Sequence, residues 1–323
     1  MSLKNRVLAG GLVLQAVILI IVFWPSSSSL SVEKLLPGLE EAQVTGVTIT
    51  DFAGKSIRLR GGPWGCVLPE AGDYPCQKDK LTSLTNRLVG IDTGSLVTQT
   101  AGSHRRLKVA GDEFEQMVEI HLADGGARRI YLGTSPRPGS VHVRVEDRDE
   151  VYLASAISDS DASAQATDWV EPVYFSVPQE QVVSLTQENA QGRLRLEKDD
   201  SGVWTLPEES PVRPLDQTKV QSLVRKAASL RMVRPLGTEA LASYGLQNPG
   251  AVVTLRTLDG DGNSGEYILL IGAEDGQEER YVVKSSESLY YVLVADSSVS
   301  DLVEKGSGDL LEPPPTATPE PQA

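Results

Sequence analysis

The sequence predicts an α+β fold: an N-terminal transmembrane helix, then two tandem repeats, each a mainly antiparallel β-sheet with one packed amphipathic helix. Three observations lead to this prediction. The chain matches itself at a nearly constant offset, each copy contains runs of alternating apolar and polar residues, and each copy contains one apolar stripe at helical spacing. Strands and helices segregated in this way are typical of the α+β class.

The internal repeat is visible in several segments that recur in the same order. Residues 74–84, YPCQKDKLTSL, align with 213–223, RPLDQTKVQSL, and IYLG at 130–133 aligns with LLIG at 269–272. Gly133 thereby falls on Gly272. One such match could arise by chance, but an ordered series predicts a duplicated unit of about 135 residues.

Each repeat has the same predicted order of elements. A hairpin with a glycine-containing turn opens each one, at 44–60 and 182–206, and a helix follows, which in the second repeat begins behind Asp216 as N-cap. The helical stripes are Leu81, Leu84, Leu88 and Ile91, and Val220, Leu223, Val224, Ala227 and Leu230. Further strands are predicted at 117–122, 128–133, 141–145 and 151–154, and at 251–258, 266–271, 280–284 and 289–294.

These elements divide the chain into six segments. The expected division is a cytoplasmic stub and anchor at 1–25, a juxtamembrane linker at 26–43, the first repeat at 44–157, a small-polar linker at 158–181, the second repeat at 182–311, and a Pro-rich disordered tail at 312–323.

The expected membrane anchor is the uncharged apolar run from Val7 to Trp24, which Pro25 ends. Eighteen helical residues rise about 27 Å, close to the roughly 30 Å of a bilayer core. Lys4 and Arg6 precede the run and predict a cytoplasmic N-terminus. We therefore expect a single-pass protein of the cell membrane with the bulk of the chain outside the cytoplasm. A cleaved signal peptide is the alternative, although the apolar region of a signal peptide is usually shorter than this run, at about 7–15 residues.

The formal net charge of −14 bears on possible partners. A chain this acidic is repelled by nucleic acid and by anionic lipid surfaces. The sequence therefore predicts no nucleic-acid partner, and the acidity by itself only indicates a soluble domain.

Cys66 and Cys76 are the only cysteines. They have no second Cys or His pair at zinc-finger spacing, so they do not form a zinc motif. A disulfide that closes a short loop is the prediction for an oxidising compartment. Two separate buried thiols are the alternative.

Asp92-Thr93-Gly94-Ser95 reads like the catalytic loop of a pepsin-like aspartic protease. Such an enzyme needs two adjacent carboxylates, whereas the residues that align with 92–94 in the second repeat are Arg231, Met232 and Val233. Asp92 also follows a predicted helix instead of a strand. We interpret the segment as the turn that ends the helix, and predict no catalytic residue.

Two other groups of residues could bind a metal. Asp259, Asp261 and Asn263 have the alternate spacing of a calcium loop, but Ser264 and Leu270 occupy the positions that require Gly and Glu, so a solvated hairpin tip is the prediction. The histidines, His104, His121 and His142, all lie in the first repeat, and the counterparts of His121 and His142 in the second repeat are not metal ligands. The sequence predicts no metal and no cofactor.

Trp64 and Trp204 recur at equivalent places, each just before a Leu-Pro-Glu segment. Aromatic residues at repeated positions are more often core anchors than platforms for a ligand. We therefore predict that both pack in the core.

The order of these elements resembles one known family. Strands, a Trp, a Pro-containing loop and a helix are followed in the second repeat by Tyr244-Gly245-Leu246 and then Asn248-Pro249 before a strand. This arrangement is similar to domain of unknown function 4340 over residues 44–310, although the first repeat has LKVAGDEFEQMVEI in place of the Gly-Leu-x-x-Pro segment. The resemblance implies a bacterial protein with one membrane helix and duplicated units, often found with ABC-type export or gliding-motility components, and it carries over no catalytic residue.

The expected function is a noncatalytic scaffold or interaction protein that is anchored in the membrane and serves an ABC-type transporter or another membrane complex. The expected partners are the membrane, through the N-terminal helix, and an ABC-type permease. One alternative is a module that binds a peptide or glycan in the groove between the repeats. A remote alternative is a homodimeric aspartic protease that uses Asp92.

Overall fold

Two nine-stranded antiparallel sheets form the body of the protein in a computed structural model. The structure describes residues 32–62, 65–77, 79–155, 157–209, 211, 213–275 and 279–314. Buried apolar side chains from both sheets and from the linker between them form one continuous cluster. The two repeats therefore share a core, which fixes the sheets relative to each other.

The first sheet has the strand order β4-β3-β2-β1-β6-β7-β8-β9-β5. Helix α1, Lys80–Gly90, connects β4 to β5 and buries Leu81, Leu84 and Leu88. The strands are β1 Val44–Asp51, β2 Ser56–Gly62, β3 Gly65–Leu68, β4 Tyr74–Pro75, β5 Leu96–Thr98, β6 Gln116–Leu122, β7 Ala127–Leu132, β8 Val141–Val145 and β9 Val151–Ala154.

The second sheet has the order β10-β14-β18-β17-β16-β15-β11-β12-β13. Helix α2, Gln217–Ala228, precedes β14, and helix α3, Asp296–Glu304, follows β18. The strands are β10 Val173–Ser176, β11 Val182–Asn189, β12 Gly192–Lys198, β13 Trp204–Thr205, β14 Ser229–Gly237, β15 Ala251–Leu258, β16 Ser264–Asp275, β17 Arg280–Ser285 and β18 Tyr291–Ala295.

Aspartate side chains organise three of the hairpin turns. Asp51, Asp199 and Asp259 each accept hydrogen bonds from the backbone N–H groups two and four residues further on, at 2.8–3.0 Å. Such local bonds let an Asp close a turn that a glycine completes. Hydrogen bonds to the carboxylates, first of all from Ser201 and from Asn263, lower the pKa of Asp199 and Asp259.

The duplication predicted from the sequence is present in the topology. Eight strands have the same spatial order in both sheets when the second sheet is taken from its other end. The order β3-β2-β1-β6-β7-β8-β9-β5 in the first sheet corresponds to β13-β12-β11-β15-β16-β17-β18-β14 in the second. The bulge between β1 and β6 at Val44/Gly46 recurs between β11 and β15 at Val182/Ser184. A shared strand order with a shared irregularity indicates that both repeats derive from one ancestral unit.

Gly133 and Gly272 have the same structural role in the two repeats. A Cβ atom on Gly133 would lie 2.0 Å from the carbonyl oxygen of Leu107, and one on Gly272 would lie 2.1 Å from that of Tyr244. In each repeat a connecting segment crosses the sheet so closely that only a hydrogen atom fits. The residue after each crossing carbonyl, Lys108 or Gly245, has a left-handed backbone, with φ of 57° and 66°. The first repeat thus keeps the geometry although its sequence differs.

A disulfide joins Cys66, in β3, to Cys76, which follows β4, with their Cα atoms 5.2 Å apart. Both cysteines are buried. The bond closes the segment 66–76, which we call the docking loop. A closed loop has fewer unfolded conformations, so the bond stabilises the loop in its folded form.

The predicted fold class needs correction. The structure consists mostly of two large antiparallel sheets, and the part of the chain that it describes has three α-helices, two of them in the second repeat. Helix α3 was not predicted because its segment, DSSVSDLVE, is short and polar, with only Val299 and Leu302 buried. Leu230, predicted as the last residue of a helical stripe, lies in β14 because α2 ends at Ala228.

The predicted transmembrane helix and the predicted single-pass localisation in the cell membrane are also corrected. No helix within the described ranges is long and apolar enough to cross a membrane. The longest of them, α2, has 12 residues and one apolar face, whereas a span needs about 20 apolar residues. The segment from Val7 to Trp24, on which the prediction rested, lies outside the described residues.

The close approaches at Gly133 and Gly272 predict a stability effect. Gly133→Ala and Gly272→Ala should each lower the free energy of unfolding by about 2–3 kcal/mol, because a methyl group would overlap a backbone carbonyl that cannot move alone. Urea titration followed by circular dichroism measures the change. Gly90→Ala is the control, since no heavy atom lies within 4 Å of a Cβ there. Equal stability of all three variants would contradict this role.

The disulfide predicts a second stability effect. The double variant Cys66→Ala/Cys76→Ala should lose about 2–3 kcal/mol of unfolding free energy, the value expected for a loop of this length. Reductant should destabilise the wild type by a similar amount and leave the double variant unchanged. A wild type that unfolds at the same urea concentration with and without reductant would contradict the prediction.

Candidate functional site

The candidate functional site is a cleft between the two repeats, which we call the junction cleft. Its volume is about 450 Å³, within the range of about 300–1,000 Å³ that is typical of ligand pockets. One wall is formed by β2 and the turn before it, a second by β14, and a third by linker residues 164–167. Both repeats and the linker contribute, so neither repeat could form the cleft alone.

The docking loop holds the first repeat against β14 at one end of the cleft. Gly72 lies against the backbone of Gly237 and Thr238, close enough that a Cβ would meet the amide nitrogen of Thr238 at 3.1 Å. The rings of Tyr74 and Tyr290 pack edge to face with their centroids 4.6 Å apart. An aromatic pair of this geometry contributes about 0.5–1.5 kcal/mol beyond its buried area.

The phenols at this contact form a small hydrogen-bonded group. The Tyr290 hydroxyl donates to the carbonyl oxygen of Asp73 at 3.2 Å, and the Tyr174 hydroxyl donates to that of Tyr290 at 2.7 Å. The pKa of Tyr74 is raised to about 12, mainly because the phenol is partly buried. The neighbouring Tyr174, Tyr290 and Glu171 raise it by smaller amounts. Tyr74 therefore stays neutral at physiological pH.

The linker is bound to the first repeat by backbone carbonyls. The Gln77 backbone N–H donates to the carbonyl oxygen of Trp169 at 2.6 Å, and its side-chain amide donates to that of Val170 at 3.0 Å. The Lys80 ammonium donates to the carbonyl oxygen of Asp168. The Trp169 indole is buried and donates to Ser163 at 2.7 Å. These bonds fix the linker wall of the cleft.

The charge of the cleft is opposite to that of the chain. Among the cleft-lining residues that the structure describes, four side chains are cationic and one, Glu70, is a carboxylate, in a protein of net charge −14. The cations are Lys55, Arg58, Arg234 and Arg280. Clefts with low-dielectric walls concentrate the field of such groups, so the junction cleft favours anionic ligands.

These cationic residues were not predicted as site residues. They belong to separate elements in two repeats, so their proximity has no signature in a single segment of sequence. One local signal was available: Pro235 lies within the run RMVRPLG, and a proline inside a strand indicates an edge strand. The edge of β14 next to Pro235 is the wall of the cleft.

Asp92 lies in a turn after α1. Its carboxylate accepts the backbone N–H of Gly94 at 2.9 Å, and its backbone forms an isolated bridge with Lys34. The side chain is exposed. This is the hydrogen bonding of a turn-forming aspartate, as the turn interpretation predicts.

The three histidines are separated by the fold, and each has its own partner. His104 contacts the carbonyl oxygen of Asp149 at 3.0 Å, His121 the Thr48 hydroxyl at 2.8 Å, and His142 the Thr134 carbonyl oxygen at 2.8 Å. Within the described ranges no group of three or more His, Cys, Asp or Glu side chains is arranged to hold a metal ion.

The loop with calcium-like spacing is the tip of the β15–β16 hairpin, where Leu258 pairs with Ser264. The carboxylate of Asp259 is occupied inside the loop, since it accepts the backbone N–H groups of Asp261 and Asn263 and the Asn263 side chain at 2.9 Å. A carboxylate used in this way stabilises the turn.

The residues that carry the family resemblance form part of the crossing over β16. The Tyr244 ring packs on Tyr291 with centroids 5.3 Å apart. Leu246 contacts Gly272, and Pro249 is half-buried just before β15. The Tyr-Gly-Leu-x-x-Pro segment therefore stabilises the sheet and does not line the junction cleft.

Of the two repeated tryptophans, Trp204 is buried in the shared core, as predicted for a core anchor. Its backbone exchanges two hydrogen bonds with the Gln217 side chain, at 3.1 and 3.0 Å, which joins β13 to the start of α2. Trp64 lies outside the described residues.

Comparison with known proteins is consistent with the repeated fold. The family model described as Domain of unknown function (DUF4340) matches residues 64–214 and again residues 204–313. No curated protein and no solved structure matches the chain. The two matches together span well over half of the 323 residues. The chain therefore belongs to the DUF4340 family and contains the domain twice in tandem.

Proposed function

We propose that the protein is a noncatalytic interaction protein, which binds a segment of a partner protein in the junction cleft. The observation that carries this proposal is the construction of the cleft from both repeats and the linker. A site of this kind is preorganised, because the shared core and the docking loop hold its walls in place before any partner binds.

The residues around the cleft support protein binding over glycan binding. Glycan sites rely on exposed aromatic faces, whereas no aromatic side chain is among the cleft-lining residues that the structure describes. The nearby aromatic residues Tyr74 and Tyr290 pack on each other. The cleft instead has arginines, which are enriched where proteins bind proteins.

The identity of the partner stays a prediction. The family resemblance implies a transport component, and the ABC-type permease expected from the sequence is one candidate. The cleft adds a chemical criterion, because a partner segment must suit a groove lined by cations.

A photo-crosslinking experiment tests where a partner binds. p-Benzoylphenylalanine placed at Thr167, on the linker wall, should give a discrete adduct with a protein in cells that express the full chain. The same probe at Ser56, which is exposed in the β2 wall, should give the same partner by mass spectrometry, because both residues line one cleft.

Thr186 is the matched control position. It lies on β11 in the second sheet, away from the cleft. Adducts that form equally at Thr186, or that are missing from both cleft positions, would contradict the proposed function.

A further inference from the structure

The polar groups of the junction cleft indicate the class of ligand. We propose that the cleft binds an extended peptide segment rich in Asp or Glu, which adds to the free edge of β14 and pairs its carboxylates with the surrounding cations. This inference rests on the proposed function and specifies its ligand.

Within the described ranges, one edge of β14 is unpaired over the second half of the strand. Strand β10 pairs with β14 only from Ser229 to Arg231, and the carbonyl oxygen of Pro172 then accepts the N–H of Met232 at 2.8 Å. Beyond Met232 no strand of the described chain pairs with that edge, although β18 pairs with the other side as far as Gly237. An exposed edge offers main-chain hydrogen bonds to an added strand.

The unpaired edge of β14 faces into the junction cleft. Val233, Arg234 and Pro235 of β14 all line it. Pro235 has no N–H to donate, so an added strand would bond chiefly on either side of it. The free edge is short, which suits a bound segment of a few residues and disfavours uncontrolled sheet extension.

Two cationic side chains of the cleft have no carboxylate partner among the described residues. Arg58 and Arg234 are exposed, and neither forms an ion pair within the described part of the chain. By contrast, Arg60, next on the same face of β2, pairs with Asp73 at 2.7 Å. Lys55 donates to the Gln165 side chain, a neutral group. Arginine binds carboxylates through two parallel hydrogen bonds, so Arg58 and Arg234 suit Asp and Glu.

The arrangement of these groups favours a peptide over a small anion. Arg58 and Arg234 lie on different walls, one from each repeat. A chain that runs along β14 can present carboxylates to both walls and also use the main-chain groups of the edge. A free anion would leave the edge unpaired, and a long polyanion would meet the field of a chain with net charge −14.

Glu70 provides a test in which removal of a charge is expected to increase the affinity for the peptide, whereas removal of the arginines is expected to lower it. Glu70 is exposed in the docking loop and is the one carboxylate among the described residues that line the cleft. An acidic ligand would be repelled by it, whereas a neutral or basic ligand would not. Removal of this charge should therefore strengthen the binding of an acidic peptide.

The test is fluorescence anisotropy with the full-length protein and a fluorescein-labelled octapeptide that alternates Glu and Val. The peptide should bind, and its twin that alternates Gln and Val should bind at least about tenfold more weakly. Arg58→Gln/Arg234→Gln should weaken binding of the acidic peptide by about tenfold or more, while Glu70→Gln should tighten it about two- to fivefold.

Arg193→Gln is the control, because it removes a cation of the same kind from the exposed face of β12, where Arg193 pairs with Glu188 at 3.7 Å. Its affinity should match that of the wild type. Circular dichroism establishes that each variant is folded. Equal binding of both peptides, or a double variant that binds like Arg193→Gln, would overturn the inference.

Competition with inorganic phosphate tests whether the cleft binds small anions instead of an acidic peptide. If phosphate displaced the peptide at an equal concentration, the cleft would be a small-anion site and the peptide proposal would fail. The proposed function has a separate readout, since crosslinks at Thr167 and Ser56 report any protein partner. Their persistence without acidic-peptide binding would overturn only the ligand class.

Discussion

The contact between the docking loop and β14 is the interaction on which the rest of the structure depends. In this contact Gly72 lies against Gly237 and Thr238, and beside it Tyr74 packs on Tyr290, just before β18. Together with the shared core, these contacts hold the two repeats together. The disulfide that closes the loop lies in the first repeat alone, because the chain has only two cysteines. The first repeat therefore carries a stabilised contact element, and the second repeat supplies the surface that it contacts.

The two repeats have kept one topology while their roles have diverged. Gly133 and Gly272 preserve the same close crossing, and Lys108 adopts the backbone conformation that Gly245 has in the second repeat. In the second repeat the part of β14 that β10 does not cover adjoins the linker and the docking loop. Its counterpart β5 has exposed Leu96 and Val97. Duplication thus produced a cleft at the junction that a single unit does not have.

Local features of the sequence predicted much of the architecture, because they depend on neighbouring residues. Asp216 caps α2 through the N–H groups of Thr218 and Lys219, and the apolar stripes of α1 and α2 are buried. The cleft was not predictable in this way, since Arg58 and Arg234 line one cleft only when both repeats pack together. Helix α3 buries only two apolar residues and had no periodic signal. The apolar run from Val7 led to a membrane prediction that the described helices do not support.

The central claim is that the β14 edge in the junction cleft is a binding surface. Amide hydrogen exchange, measured with and without an acidic peptide, tests it most directly, because an added strand protects the N–H groups that it binds. The account predicts slower exchange in 233–236 and unchanged exchange at β13, the edge strand on the opposite side of the same sheet. Unchanged exchange in 233–236 with peptide bound, or equal protection at β13, would contradict it.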